Sequence, residues 1–144
     1  MSQQISVLVI DDDRTITTLL QSVLGKRGFE VHASEDGPSG IAIAQSEHVD
    51  LILLDWMIPG IDGMEVLSRL KHNEKTKHIP VFMLTSKEQK ADVEQAVSCG
   101  VDNYIVKPFN ASEIDVIIRN KLKEIEKTAT DKRTLFGHVF SKYP

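Results

Sequence analysis

Residues Leu51–Gly63 read LILLDWMIPGIDG, and this stretch decides the fold. Four large apolar residues, Leu51 to Leu54, run straight into Asp55, and Pro59, Gly60 and Gly63 then break the chain. A continuous apolar run bounded by turn residues predicts a parallel strand buried on both faces. A carboxylate at the point where such a strand stops lies at the carboxyl edge of the sheet, where open α/β folds bind ligands. The chemistry is therefore expected at Asp55.

Working outward, the same pattern recurs. Ile5 to Ile10 is an apolar run that stops at Asp11, Asp12 and Asp13. Phe29 to Ala33 and Val49 to Leu54 are further strands, Ile79 to Leu84 ends at Thr85-Ser86, and Val101 to Val106 ends at Lys107-Pro108. Between them lie helical patterns: Ile16, Leu19, Leu20, Val23 and Leu24; Ile41 and Ala44 after Asp36; Val66, Leu67 and Leu70 after a capping box at Asp62–Glu65. A fourth helix, with Val93, Ala96 and Val97 inward, is expected to run to a glycine cap at Gly100. A fifth carries the stripe Ile114, Ile117, Ile118, Leu122 and Ile125. Five strands alternating with five helices predict an α/β protein with a parallel sheet. Right-handed crossovers then put every strand's carboxyl end on one edge, which gathers Asp11, Asp12, Asp55, Thr85, Ser86 and Lys107.

If three carboxylates meet there, each pair about 5 Å apart repels by roughly 3 kcal/mol at an effective dielectric of about 20. Such a cluster takes up protons or binds a cation, and a solvent-open, all-oxygen site suits Mg²⁺. Lys107 adds a fixed positive charge and Thr85 a hydroxyl donor. A phosphoryl group matches that set, and a carboxylate acting as nucleophile would form a hydrolysable acyl phosphate.

The totals bound the remaining choices. At 144 residues, with 41% hydrophobic and 26% charged residues, the chain reads as one ordinary globular domain. A net charge of -4 argues against general attraction to nucleic acid or anionic membrane. The lone cysteine, Cys99, excludes an internal disulfide and is expected to be a small buried or half-buried side chain. No apolar run approaches the ~20 residues of a membrane span, and MSQQ does not open like a signal peptide, so a cytoplasmic location is expected. The five histidines show no ligand spacing and read as surface residues.

The runs VLVIDDD, LILLDWMIPGIDG, IPVFMLTS and VDNYIVKPF, in this order and at this spacing, resemble the receiver domain of two-component response regulators. The resemblance covers residues 1–126, most closely from Ile5 to Glu126. It implies a doubly wound, flavodoxin-like (βα)5 sandwich with strand order 2-1-3-4-5, an order that periodicity does not reveal. It also implies a phosphorylation-dependent switch. Asp55 would be the phosphoacceptor, and Asp11, Asp12, Asp55 and the Met57 backbone carbonyl would bind Mg²⁺, with Asp11 acting mostly through water. Thr85 would hydrogen-bond the phosphoryl group, Lys107 would pair with it, and Thr85 and Tyr104 would be the switch residues. The Lys107-Pro108 bond would be cis. Met57 and Lys87 would stand at positions that tune autodephosphorylation.

The implied partners are a sensor histidine kinase or phosphotransfer protein, and a downstream protein at the surface of the fourth helix, fifth strand and fifth helix. A homodimer of the phosphorylated form is left open, and no nucleic acid is bound by this chain directly. In this reading the chain promotes only its own phosphorylation and dephosphorylation.

Two other readings compete. Asp11-Asp12-Asp13-Arg14-Thr15 fits the D-x-D-x-T nucleophile motif of haloacid-dehalogenase-type phosphatases, with Asp11 and Asp13 as the working acids. A flavin module on the same fold would need a loop rich in Thr, Ser and Gly where three aspartates stand. Asp13 is otherwise expected to cap the first helix, Ser86 to cap the fourth, and Trp56 to serve packing. Residues 127–144 are expected as a C-terminal linker and tail: linker from Lys127 to Arg133, then an apolar stripe of Leu135, Phe136, Val139, Phe140 and Tyr143. That stripe could pack on the receiver, bind a partner, or begin an output domain.

Overall fold

The computed structural model describes residues 4–86 and 90–142, and the chain divides into two units, Met1–Ala111 and Ser112–Pro144. In the first unit the elements follow as β1 (Ser6–Ile10), α1 (Arg14–Lys26), β2 (Glu30–Ser34), α2 (Gly37–Ser46) and β3 (Leu51–Leu54). Then come α3 (Gly63–Lys71), β4 (Val81–Thr85), α4 (Lys90–Ser98) and β5 (Asn103–Val106). The second unit is the helix α5 (Ala111–Lys142), which begins at the boundary residue. All neighbouring strands are parallel, in the order β2-β1-β3-β4-β5, which is the doubly wound topology the resemblance implies.

Burial follows strand position. Every residue of β1, β3 and β4 is buried, whereas β2 and β5, at the two edges, are partly exposed. This is why the three central strands are unbroken apolar runs and the edge strands are mixed. Leu8, Ile10, Ile52, Leu54 and Met83 of these strands pack in one cluster with Val66, Leu67 and Leu70 of α3 and with Ala96.

Helix starts follow from short acidic side chains. Asp13 accepts from the Thr15 amide at 2.9 Å, Asp36 from Ser39 at 2.8 Å and Asp62 from Glu65 at 3.0 Å, each satisfying an amide the helix cannot. Asp13 is thus the cap expected of it. The acidic partner of the Asp62 box, Glu65, pairs with Arg69 one turn on at 3.0 Å.

Several expectations are corrected. Val97 is 61% exposed; only Ala96 of the expected inward trio is buried, and Val93 is half-buried. Cys99 is exposed, one residue past the end of α4 and just before Gly100, which caps the helix at φ 96°. The Val101 amide still donates to the Ala96 carbonyl at 3.1 Å, so β5 starts two residues later than the apolar run suggests. Leu19, counted in the stripe of α1, is 43% exposed, and Thr17 is buried in its place. Residues 127–133 are helical and continuous with α5, since nothing in KTATDKR breaks a helix. Lys87 lies outside the described residues. So do the side chains of the tail stripe from Leu135 to Tyr143. Among the described residues no helix is long and apolar enough to cross a membrane.

Candidate functional site

Strand register builds the site. Ile10 of β1 pairs with Leu54 of β3, so the next residues, Asp11 and Asp55, come out level on adjacent strands. Their backbones are fixed by the sheet: the Asp11 amide donates to the Ser34 carbonyl at 3.0 Å, and the Asp55 amide to the Ile10 carbonyl at 2.9 Å. Both carboxylates are buried, Asp11 at 1% exposure and Asp55 at 6%, while Asp12 is exposed. One carboxylate oxygen from each of Asp11, Asp12 and Asp55 lies within 4.8 Å of the others.

Lys107 closes the cluster. Its ammonium donates to Asp11 Oδ2 at 2.8 Å and stands 3.4 Å from Asp55 Oδ2. The second oxygen of Asp11 accepts from the Asp13 amide at 2.9 Å, and Asp55 Oδ1 accepts from the Met57 amide at 3.2 Å. Burial pushes the Asp55 carboxyl above the ordinary carboxylate value, and the Asp11 charge pushes it further. The Met57 amide and Lys107 pull it back only in part. Burial pulls Lys107 down, but the hydrogen bond to Asp11 and the charges of Asp11 and Asp55 outweigh it, leaving the ammonium above its usual value.

Thr85 and Tyr104 flank this edge. Thr85 is the last residue of β4, fully buried and paired with Val106, and its carbonyl accepts from the Lys107 amide at 2.9 Å. Tyr104, paired with Met83, is half-buried with its hydroxyl shielded from solvent. Its ring meets Trp56 edge-on, centroids 6.4 Å apart at 75°. The peptide bond between Lys107 and Pro108 is cis. An open cavity of about 530 Å³ beside the carboxylates is lined by Asp12, Trp56, Met57, Ile58, Pro59 and Asp62. Met57 itself is exposed.

The residues present fit a divalent cation. Three carboxylates and one ammonium leave a formal charge of -2 (−3 + 1), and the exposed Asp12 leaves the cluster open to water, which suits a cation that keeps part of its hydration. Both Asp11 oxygens already accept hydrogen bonds, which suits a ligand acting through water rather than directly. Asp13 is engaged as a helix cap and is not one of the three clustered acids, so nothing in the geometry favours the phosphatase reading built on Asp11 and Asp13.

Two features of the site were missed in the sequence. The Trp56–Tyr104 contact ties the residue after Asp55 to the half-buried tyrosine of β5; its only signal was that Trp56 adjoins Asp55. Gly63 reads as a chain breaker, yet its place is set by proximity: a Cβ there would lie 2.6 Å from the Asp55 carbonyl oxygen and from the Trp56 Cα.

Comparison with known proteins agrees with this geometry. Residues 7–119 match the family described as the response regulator receiver domain. The chain is 36% identical over 134 residues to the transcriptional regulatory protein AfsQ1 of Streptomyces coelicolor, covering 93% of this chain and 58% of that protein. It is 39% identical over 121 residues to the DNA-binding regulator RpaA of a Synechocystis strain, covering 84% and 50%. The chain thus spans about half the length of the curated relatives it matches. Among solved structures, a CheY-like receiver domain from Methanospirillum hungatei superposes with a TM-score of 0.81 at 27% identity, covering 88% of this chain and 99% of that one. Chemotaxis protein CheY4 of Vibrio cholerae gives 0.76 at 27%, covering 81% and 98%.

Proposed function

This chain belongs to the response regulator receiver family, and on that premise we propose that Asp55 accepts a phosphoryl group from a histidine kinase or phosphotransfer protein. The observation that carries the reading is the juxtaposition of Asp11, Asp12 and Asp55 with the Lys107 ammonium at the edge of the sheet. An oxygen of Asp55 attacks phosphorus, the bond from phosphorus to the donor imidazole breaks, and the product is an acyl phosphate. Asp11, Asp12, Asp55 and the Met57 carbonyl would hold Mg²⁺, which would supply positive charge against the phosphoryl oxygens. Lys107 shifts from the Asp55 carboxylate to the new dianion, a stronger charge-assisted partner. Thr85, at the end of β4, donates its hydroxyl to a phosphoryl oxygen.

The switch follows from these contacts. Movement of Thr85 toward the phosphoryl group makes room for Tyr104, and the surface of α4, β5 and α5 changes its affinity for a downstream protein. The chain turns over no external substrate in this reading. It works in the cytoplasm, where kinase and phosphodonor meet. Relatives of about twice its length are named as transcriptional regulators, which supports an output on gene expression through a further domain or partner.

The test is intact-mass analysis after incubation with acetyl phosphate and Mg²⁺. Wild type and Asp13→Asn are expected to gain one phosphoryl group that hydroxylamine removes, as an acyl phosphate requires, and Asp55→Asn none. Labelling that survives Asp55→Asn and disappears with Asp13→Asn would transfer the nucleophile to the first loop.

A further inference from the structure

The cavity beside the carboxylates is larger than a metal ion needs. Its volume of about 530 Å³ lies in the range of small-molecule sites, whereas a hydrated ion at Asp12 takes roughly 120–180 Å³ at about 30 Å³ per water. The other lining residues are Trp56, Met57, Ile58, Pro59 and a second acid, Asp62. Trp56 and Ile58 are buried while Met57 and Pro59 are exposed, which gives the cavity a fixed apolar wall and an open rim.

Asp62 carries more charge than its structural task uses. Its Oδ1 accepts from the Glu65 amide as the cap of α3, a single hydrogen bond that an uncharged Asn or Ser also supplies. Among the described residues no basic side chain pairs with Asp62, whereas Glu35, Glu65 and Glu74 are matched by Arg14, Arg69 and Lys77. With Asp12 committed to the metal, Asp62 is the negative charge that remains in the cavity.

Apolar walls beside an unmatched carboxylate suit a flat, cationic group. The phosphoryl transfer proposed above supplies one. A phosphorylated imidazole leaves most readily when its other ring nitrogen is protonated: the electron pair of the breaking P–N bond then neutralises a cation, and the ring departs as neutral imidazole. An acyl phosphate instead releases a carboxylate anion.

We infer that this cavity receives the leaving group of the phosphodonor, and that Asp62 makes it selective for a protonated imidazole over an acyl group. The inference rests on Asp55 being the phosphoacceptor. An Asp55 oxygen bonds phosphorus, the P–N bond breaks, and its electrons stay on the ring nitrogen. Asp62 takes no proton; it favours the charged ring and disfavours a departing carboxylate by charge alone. Asp55, Lys107 and the metal site act on the phosphoryl group that both donors share, so they do not discriminate between them.

Intact-mass time courses in saturating Mg²⁺ test this, with monophosphoimidazole and acetyl phosphate as the two donors. Asp62→Asn keeps the cap, so its Tm and Mg²⁺ affinity should stay near those of wild type. It should lower kcat/KM for monophosphoimidazole about threefold, mainly through KM, and raise that for acetyl phosphate about threefold, changing their ratio about tenfold. Asp62→Ser, another uncharged cap, should do the same. Asp13→Asn, which removes a cap charge outside the cavity, should leave the ratio as in wild type. Both shifts should fade in about 1 M salt. A ratio unaltered in Asp62→Asn and Asp62→Ser, altered equally by Asp13→Asn, or both rates falling together with Tm would overturn the inference and leave Asp55 as acceptor. Failure of both donors to label Asp55 in wild type would overturn the reading beneath it, and the inference with it.

Discussion

Asp55 is held where its ionised form is disfavoured, first by burial and then by Asp11. Its folded pKa lies above the unfolded value, so the folded state keeps the proton longer. The stability it contributes is complete below the ordinary carboxylate pKa and is lost as pH rises through the folded value. Asp55→Asn removes that cost. In the absence of divalent metal the variant is expected to be more stable than wild type at pH 7 by on the order of 1 kcal/mol, about 4 °C in Tm. The difference should vanish below the ordinary carboxylate range, where Asp55 is protonated in both states. Thermal melts in EDTA at neutral and acid pH check this, and an Asp55→Asn protein less stable than wild type at pH 7 would contradict it. A divalent cation bound at the cluster would offset the repulsion between Asp11 and Asp55 that raises the Asp55 carboxyl.

At the scale of elements, the turn between β3 and α3 leaves no room for a side chain at Gly63. The Gly63 amide donates to the Trp56 carbonyl at 2.8 Å, and that bond holds the start of α3 against the backbone of Asp55 and Trp56. Any side chain at Gly63 meets main-chain atoms, which cannot rotate away as a side chain could. Gly63→Ala is therefore expected to cost about 2 kcal/mol and to slow acetyl phosphate labelling of Asp55, because relief comes from moving the loop that carries it. Urea unfolding and labelling rates measure the two effects, and a neutral Gly63→Ala would show the loop to be looser than its distances indicate. The helices α4 and α5 were less legible than this turn. Val97 and Ala96 are adjacent apolar residues at one edge of a stripe, and periodicity alone does not say which of the two the neighbouring elements cover. The stretch 127–133 lacks apolar residues other than Ala129, so it resembles linker by composition although it holds no Gly or Pro that would end a helix.

For the whole molecule, the sheet brings three acids together and leaves them a formal excess of two negative charges over Lys107. A ligand that binds only the folded state stabilises it by mass action. Each tenfold rise in Mg²⁺ above its dissociation constant should add about 1.4 kcal/mol, or about 4–6 °C in Tm, and should change Trp56 emission. Asp12→Asn, which alters an exposed carboxylate of the cluster and no core contact, should remove most of this response while leaving the metal-free Tm nearly unchanged. An unaltered Mg²⁺ response in Asp12→Asn would place the ion elsewhere.

What the sequence determined by itself is local in origin. Apolar runs that stop at polar residues marked the strands, and short acidic side chains before periodic segments marked the starts of α1, α2 and α3. Both signals act within a few residues, so they can be read without knowing where the chain goes next. The tertiary structure alone decided the adjacencies. The register of β1 against β3 set Asp11 level with Asp55, and Lys107 reached an aspartate 96 positions away in sequence. It also decided that Val97 and Cys99 face solvent. Strand order and register are set by packing summed over the whole sheet, and no short window of residues contains that sum.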